Sequence, residues 1–518
     1  MARHFNTAGP CLVEDHYMLS PAARLGQIRG LVDSKKFFVI HAPRQTGKTT
    51  LLRNLSRELT AEGAYAAITV SLENFLGIDV DKVIPQIFHG IAFDAKYALP
   101  KNLQPPKPED FSHAPDTAFK NYLGAWAASI DKPLVIFIDE IDAIPRPLLI
   151  SILRQLRNGY TSRPSPFPQS VALVGLKDVR DYKILDQVRG EEKSLGTASP
   201  FNIKDESFTL RNFNEAEVRE LLEQHTTETG QVFEDAAIAE IFNQTQGQPW
   251  LTNALASLLT THYDALVPDR SMLVTADKVM EAREVLIKRR DTHLDSLVDK
   301  LRDERVKRII QPILIGDNNF DETFNDDFSY VKDLGLVDKI KGRLDIANPI
   351  YREIIPRVLS FQVQMGIDAE PAWYVAEDGT LDMQKLIKGF LKFWTRNGEI
   401  LLKGMAYHEA APHLTFMAYL QRITNGNGMI HREFAIGTGR ADLVVDFGGR
   451  KDVIELKLQR GKWTVPEGLE QVARYAKKLG RNTAYLIVFD PTSKTPFEDR
   501  GQIEELTQDQ VKVVLIKA

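Results

Sequence analysis

The sequence predicts an α/β protein: a doubly wound parallel sheet with a helical lid and a winged helix, followed by a separate α/β domain. Three observations predict this. Short apolar runs alternate with helical spacing over residues 1–205, as in a sheet buried on both faces. Helices then succeed one another without a strand over 206–300, and a helix-and-hairpin pattern follows over 301–360. After a linker at 361–384, helix and strand patterns mix again over 385–518.

A chain of 518 residues should hold two to four domains. Its 43% hydrophobic and 26% charged residues suit a soluble globular protein. A net charge of −5 excludes a protein that coats nucleic acid by bulk charge, so any such contact needs a local basic groove. A single cysteine, Cys11, excludes an internal disulfide and a cysteine-cluster zinc site. The amino terminus lacks a signal-peptide pattern, and no apolar run approaches the ~20 residues of a membrane span. The expectation is a cytoplasmic protein with no membrane partner.

Element by element, "KKFFVIHAP" (Lys35–Pro43) reads as a first buried strand, and "TTLLRNLSRELTAEG" as its helix, ended by Gly63. "AYAAITVSLE", "KPLVIFIDEID" and "QSVALVGLKD" read as further buried strands. The Pro-rich Lys101–Asp116 is a surface loop. "NEAEVRELLEQHTTETG", "EDAAIAEIFNQTQG" and "PWLTNALASLLTTHY" are the lid helices. "GLVDKIKGRLDIANPIY" is a hairpin turning at Lys341–Gly342, the wing.

"APRQTGKTT" lies between the first strand and its helix. Gly47, Lys48 and Thr49 match the phosphate-loop pattern G-x-x-x-x-G-K-[ST], with Ala42 in place of the leading glycine. Ala42, Pro43, Arg44, Gln45, Thr46, Gly47 and Thr50 form the cradle, whose backbone N–H groups turn onto phosphate oxygens. Lys48 should reach the β- and γ-phosphates, and Thr49 should ligate Mg²⁺. "LVIFIDEID" brings Asp139 to the Mg²⁺ shell at a strand end, and Glu140 follows as general base. Asp139–Glu140 alone also fits a helix cap; the two motifs in this order favour the nucleotide site. Gly247-x-Pro249 either starts a lid helix or places that helix end at the nucleotide. Tyr17 either packs or faces adenine.

These motifs resemble the AAA-like ATPases of the group that includes archaeal ATPases and STAND switches, over residues 5 to 360. The resemblance implies ATP–Mg²⁺ binding and hydrolysis, often in a homo-oligomer. One departure is that "SVALVGLKD" ends without the Asn or Thr sensor at Gly175, leaving Lys177, Asp178 or Arg180 as substitutes. Arg154, Arg157 and Arg163 are candidates for an arginine finger.

"ADLVVDFGGRKDVIELKL" (Ala441–Leu458) is a hairpin too apolar to need Asp442, Glu455 and Lys457 for solubility. A turn centred on Gly449–Arg450 pairs Phe447 with Asp452 and Leu443 with Leu456. It sets Asp442 across from Lys457 and diagonal to Glu455, on one solvated face. Two carboxylates at this spacing can hold Mg²⁺ or Mn²⁺, with Lys457 orienting the attacking water. The same charges also fit an ordinary surface pair. Helix "EGLEQVARYAKKLG" then carries Gln471 and Tyr475 on one face. Together these residues resemble the PD-(D/E)XK nuclease superfamily, in branches with a Q-x-x-x-Y helix, over 385 to 518. The resemblance implies metal-dependent phosphodiester cleavage, most often of DNA. It assigns Asp442, Glu455, Lys457 and Gln471 to catalysis, and Glu409 of a first core helix to the metal alongside Asp442 and Glu455. It adds Glu433 as a further polar residue. His408 and His413 flank Glu409 and read as solvated or capping rather than ligating. Arg440, Arg460, Lys462 and Trp463 border the hairpin as a backbone-binding rim or a plain charged surface.

Two functions follow. One is an ATP-dependent or ATP-regulated nuclease acting on nucleic acid, DNA foremost. The other is a non-cutting ATPase switch or DNA-loading ATPase, its C-terminal domain binding nucleic acid or a partner. Asp326, Asp327 and Asp333 against a lone Lys332 argue that the winged helix contacts protein rather than phosphate.

Overall fold

The computed structural model describes residues 3–73, 80–111, 115–176, 204–289, 297, 299–315, 326–340, 342–361, 373–376, 378–405, 407–408, 410–424, 428–436 and 439–518. Two compact units divide the chain. One comprises Met1–Arg289 with Phe328–Leu336, the other Arg290–Asp327 with Val337–Ala518.

In the first unit, α1 (Pro21–Asp33) leads into β1 (Phe37–His41) and α2 (Lys48–Ala61). There follow β2 (Ala66–Ser71), α3 (Val80–Ala98), α4 (Pro115–Ser129), β3 (Leu134–Asp139), α5 (Arg146–Thr161), β4 (Ser170–Gly175) and β5 (Lys204–Thr209). The sheet is five-stranded in the order β2-β3-β4-β1-β5, and every pairing is parallel. Strands β1, β3 and β4 are buried at every residue, which explains their unbroken apolar runs. The four strands read from sequence are present. β5 is an addition: the all-helical reading began at 206, yet Lys204–Thr209 pairs with β1. "KDESFT" hides because an edge strand needs no continuous apolar run.

After β5 come helices α6 (Glu215–Thr229), α7 (Asp235–Thr245), α8 (Pro249–Thr260) and α9 (Ala276–Arg289). Asn214 and Glu217 form a reciprocal capping box at the start of α6. Gln248 caps α8, with Pro249 in the first turn.

In the second unit, α10 (Glu304–Leu314) packs on β7 (Arg343–Ile346), which forms a hairpin with β6 (Val337–Ile340), and α12 (Pro349–Leu359) follows. Between α10 and β6, the segment Phe328–Leu336, which takes in most of helix α11 (Asp326–Asp333), belongs to the first unit. The C-terminal part runs α13 (Met383–Gly404), α14 (Ala411–Thr424), β8 (Gly428–Ile436), β9 (Gly439–Phe447), β10 (Arg450–Leu458), α15 (Thr464–Lys478), β11 (Thr483–Phe489), β12 (Gln502–Gln508) and β13 (Val511–Lys517). Its six-stranded sheet is mixed, ordered β12-β13-β11-β10-β9-β8. The described end of the expected linker is packed rather than loose. Tyr374 and Leu381 are buried, and the Tyr374 ring meets Phe447. Aromatic and aliphatic side chains there gain more from burial than a linker would. Among the described residues, no helix is long and apolar enough to cross a membrane.

Candidate functional site

The phosphate loop leaves β1 at His41 and enters α2 at Lys48. Gly47 has φ +85°, and no side chain caps the helix, so its first N–H groups stay open to an anion. Lys48 is buried; its ammonium donates to the carbonyls of Ala42 (2.8 Å) and Pro43 (2.9 Å). Burial lowers its pKa, while Glu140 and Asp139 pull it back up. The Thr49 hydroxyl donates to Asp139 Oδ2 at 2.5 Å, and Asp139 is fully buried. Glu140 follows with φ 55° and ψ 41°, a left-handed conformation that a glutamate adopts at a cost and that is common at active sites. Burial, then the Asp139 charge, raises its carboxyl pKa, as suits a proton acceptor.

One cavity joins this loop to the N-terminal segment and the lid. Gln45, Gly47 and Thr50 line it with Asn6, Tyr17 and Trp250. The Gly247–Pro249 helix end therefore does lie beside the phosphate loop. Trp250 Nε1 donates to the carbonyl of Thr7 (2.8 Å), tying lid to N-terminus. Gly247 has φ +67°, and a Cβ there would sit 1.9 Å from the Phe213 carbonyl oxygen. Gly247→Ala is thus expected to lose roughly 3 kcal/mol, read as a lower denaturant midpoint.

Tyr17 is mainly a packing residue, buried against Phe5 with its hydroxyl 3.2 Å from His225 Nδ1. Burial depresses the pKa of His225 below 6.5. The unfolded chain therefore takes up the proton more readily. The contribution is full above pH 6.5 and lost as pH falls through 6.5 toward the depressed folded value. The melting temperature should drop between about pH 7.5 and about pH 5.5, and drop less in His225→Gln.

Sequence reasoning missed Arg24. From α1 its guanidinium reaches the carbonyls of Thr46 and Arg211 and lies over the Phe213 ring. No motif marks it, because it acts through folded neighbours. Arg163, a finger candidate, is engaged within its own chain. Its guanidinium donates to the carbonyls of Lys35, Pro168 and Gln169 and covers Phe37, at the opposite end of β1 from the phosphate loop. Arg154 is exposed and Arg157 half-buried on α5. At Gly175 the next N–H, of Leu176, donates to Asp142; Lys177, Asp178 and Arg180 lie outside the described residues.

The second cluster sits on β9 and β10. Its register differs from the sequence reading. Phe447 pairs with Arg450 rather than Asp452, and Leu443 with Ile454 rather than Leu456. Gly448 and Gly449 both have positive φ, closing a two-residue turn. A slip of two keeps every side chain on its face but brings Asp442 level with Glu455 instead of Lys457. Leu456 N–H donates to Asp442 Oδ2 (2.9 Å), and Asp442 N–H approaches Glu455 Oε2 (3.4 Å). Lys457 Nζ lies 2.8 Å from Glu455 Oε1.

This face is only partly solvated, with Asp442 and Lys457 half-buried. Val444 and Val453 pack on it with Val472, Ala473 and Tyr475 of α15, and Glu455 is fully buried. Burial, then the Asp442 charge, pushes Glu455 up to about 8; burial raises Asp442 as well. Burial lowers Lys457, but Glu455 and Asp442 outweigh it and the pKa ends raised. Gln471 Nε2 meets the Tyr475 hydroxyl at 3.4 Å, one turn apart on α15. Glu409 lies outside the described residues. Glu433 and Arg440 fall on paired strands β8 and β9. His408 is exposed, whereas His413 is buried and its pKa pushed down to about 4 by that burial. Trp463 is exposed, with Lys462 over its ring.

The N-terminal region is a P-loop ATPase domain: residues 31–182 match the family model of an AAA domain. Among solved structures, the chain is similar to the Walker-type ATPase PABY2304 of Pyrococcus abyssi, at 16% identity over 68% of this chain and 99% of that one, TM-score 0.44. It is also similar to the RuvB Holliday junction branch migration motor of Thermotoga maritima, at 15% identity over 65% of this chain and 93% of that one, TM-score 0.31. No curated protein matches the chain.

Proposed function

We propose that the chain is an ATP-regulated, metal-dependent nuclease. The observation that carries this is the gathering of Asp442, Glu455 and Lys457 within hydrogen-bonding reach on adjacent strands. Two carboxylates, one of them fully buried, are pushed toward protonation by burial. Such a pair favours a hard divalent cation in place of protons. Among the described residues no group of three His, Cys, Asp or Glu forms a complete ligand set. Water and phosphate oxygens would fill the remaining positions, as Mg²⁺ accepts readily and Mn²⁺ can. The cation would offset the charge of the scissile phosphate and acidify a water. Lys457 lies beside Glu455 and would orient that water; Tyr475 of α15 acts on Lys457 through its charge field and meets Gln471.

At the ATPase site, Lys48 would bind the β- and γ-phosphates of ATP, with Thr49 and Asp139 on Mg²⁺ and Glu140 receiving the proton of the attacking water. Mg²⁺ there would draw charge from the phosphates. The 2.5 Å Thr49–Asp139 contact supports the fit. Control by ATP is supported by the segment Phe328–Leu336. Gly335 lies against Pro43 with no room for a Cβ, and Asp333 is 3.4 Å from His41, the residue before the loop. This segment is covalently joined at both ends to the unit that carries the carboxylates.

Plasmid nicking with Mg²⁺ or Mn²⁺, with and without ATP, tests the reading. Cleavage that depends on Lys457 and changes with ATP supports it. Intact ATPase with no cleavage under any condition would leave the non-cutting switch.

A further inference from the structure

The second unit contains a cleft of about 700 Å³ of empty space, open solvent included. Asp442 and Lys457 line one side. The other side comes from the winged-helix part: Ile313 at the end of α10, Ile346 of β7, and Arg352 and Pro356 of α12. The Arg352 guanidinium pairs with Asp345, whose carboxylate also accepts the Ile346 N–H (2.7 Å). Arg352 and Asp345 are both largely buried, at 14% and 10% side-chain exposure, so the arginine is held rather than waving in solvent. His413 lines the same cleft, is 4% exposed, and its Nδ1 has no hydrogen-bond partner among the described residues. A buried ring nitrogen without a partner is costly and points to a polar ligand.

We infer that this cleft takes an unpaired nucleic-acid strand, with Arg352 contacting a phosphate beside the scissile one. The inference rests on the nuclease reading above. The cleft is walled on two sides, as a single unpaired strand allows. A duplex would need an open groove walled from one side only. The apolar wall of Ile313, Ile346 and Pro356 suits the flat face of an unstacked base, which a duplex does not offer. A fixed guanidinium matches a phosphate through paired N–H donors, and Asp345 sets its angle. In the reaction, a water oxygen forms a bond to phosphorus, the bond to the leaving sugar oxygen breaks, and that oxygen gains a proton. Arg352 is thus a substrate-positioning residue supplied by a different part of the fold from the carboxylates.

The test uses the full chain with Mn²⁺ on an end-labelled single strand and on the same sequence as a blunt duplex. The single strand should be cut at least about tenfold faster. Arg352→Met should raise KM for it about tenfold with a smaller change in kcat, and Arg352→Lys should recover part of the loss. Melting temperatures of both variants show whether the fold survives, and the lysine variant keeps the test decisive if the methionine one unfolds. Lys457-dependent cleavage with equal duplex and single-strand rates, or an unchanged KM in a folded Arg352 variant, overturns the strand assignment and leaves the nuclease reading intact. Absence of Lys457-dependent cleavage on both substrates overturns the two together.

Discussion

ATP hydrolysis is expected to fall by a factor of about 10²–10³ in Lys48→Ala, measured as phosphate release under saturating Mg–ATP. The ammonium is buried in the phosphate loop and held by two loop carbonyls, so it is ordered before any phosphate arrives. Alanine removes the charge and leaves those carbonyls without their donor, so nucleotide binding should weaken as well. Glu140→Gln separates binding from chemistry. It keeps the shape at a left-handed backbone position but cannot accept a proton. Turnover should drop by about 10²–10⁴ while ATP affinity, from calorimetry, changes little. An E140Q protein that hydrolyses ATP at the wild-type rate would remove Glu140 from the mechanism.

The second large effect is expected on cleavage. Lys457→Ala should reduce Mn²⁺-dependent nicking by about 10²-fold or more, with ATP hydrolysis unchanged. Its ammonium is the charge that lies 2.8 Å from the buried Glu455 carboxylate. Removing it leaves two close carboxylates with less positive charge nearby, so Glu455 should hold its proton more tightly still. Glu455→Gln and Asp442→Asn should abolish cleavage through the cation instead, and excess metal should not rescue either. The pattern to look for is loss in all three variants at matched melting temperature. Wild-type nicking in a folded Lys457→Ala protein would refute the assignment.

Much of the first unit was legible in the chain. Apolar runs such as Phe37–His41 and Leu134–Asp139 are buried on both faces, and that burial writes itself into composition. The phosphate loop was legible for a different reason: its residues are contiguous and their spacing is dictated by a phosphate. β5 was not legible, because Lys204–Thr209 pairs along one edge and carries polar residues. Arg24 was hidden too, since a residue that braces the loop from α1 leaves no local trace. The hairpin shows a middle case. Alternation assigned each side chain its correct face, but the turn set the register, and positive φ at both Gly448 and Gly449 moved it by two. His413 was read as bland from sequence, and only its burial in the cleft distinguishes it from the exposed His408.

Local pattern alone picked out the residues proposed to carry chemistry: the Gly47–Thr49 run, the Asp139–Glu140 pair, and the three charges set in an apolar hairpin. Those choices answer to period, spacing and residue type, which are properties of the chain itself. Tertiary structure decided how those groups meet. It put Asp442 beside Glu455, covered Val444 and Val453 of their face with α15, and walled the cleft with Arg352, nearly a hundred residues upstream. Contacts between distant segments depend on packing rather than on neighbours in sequence, so no local reading could have supplied them.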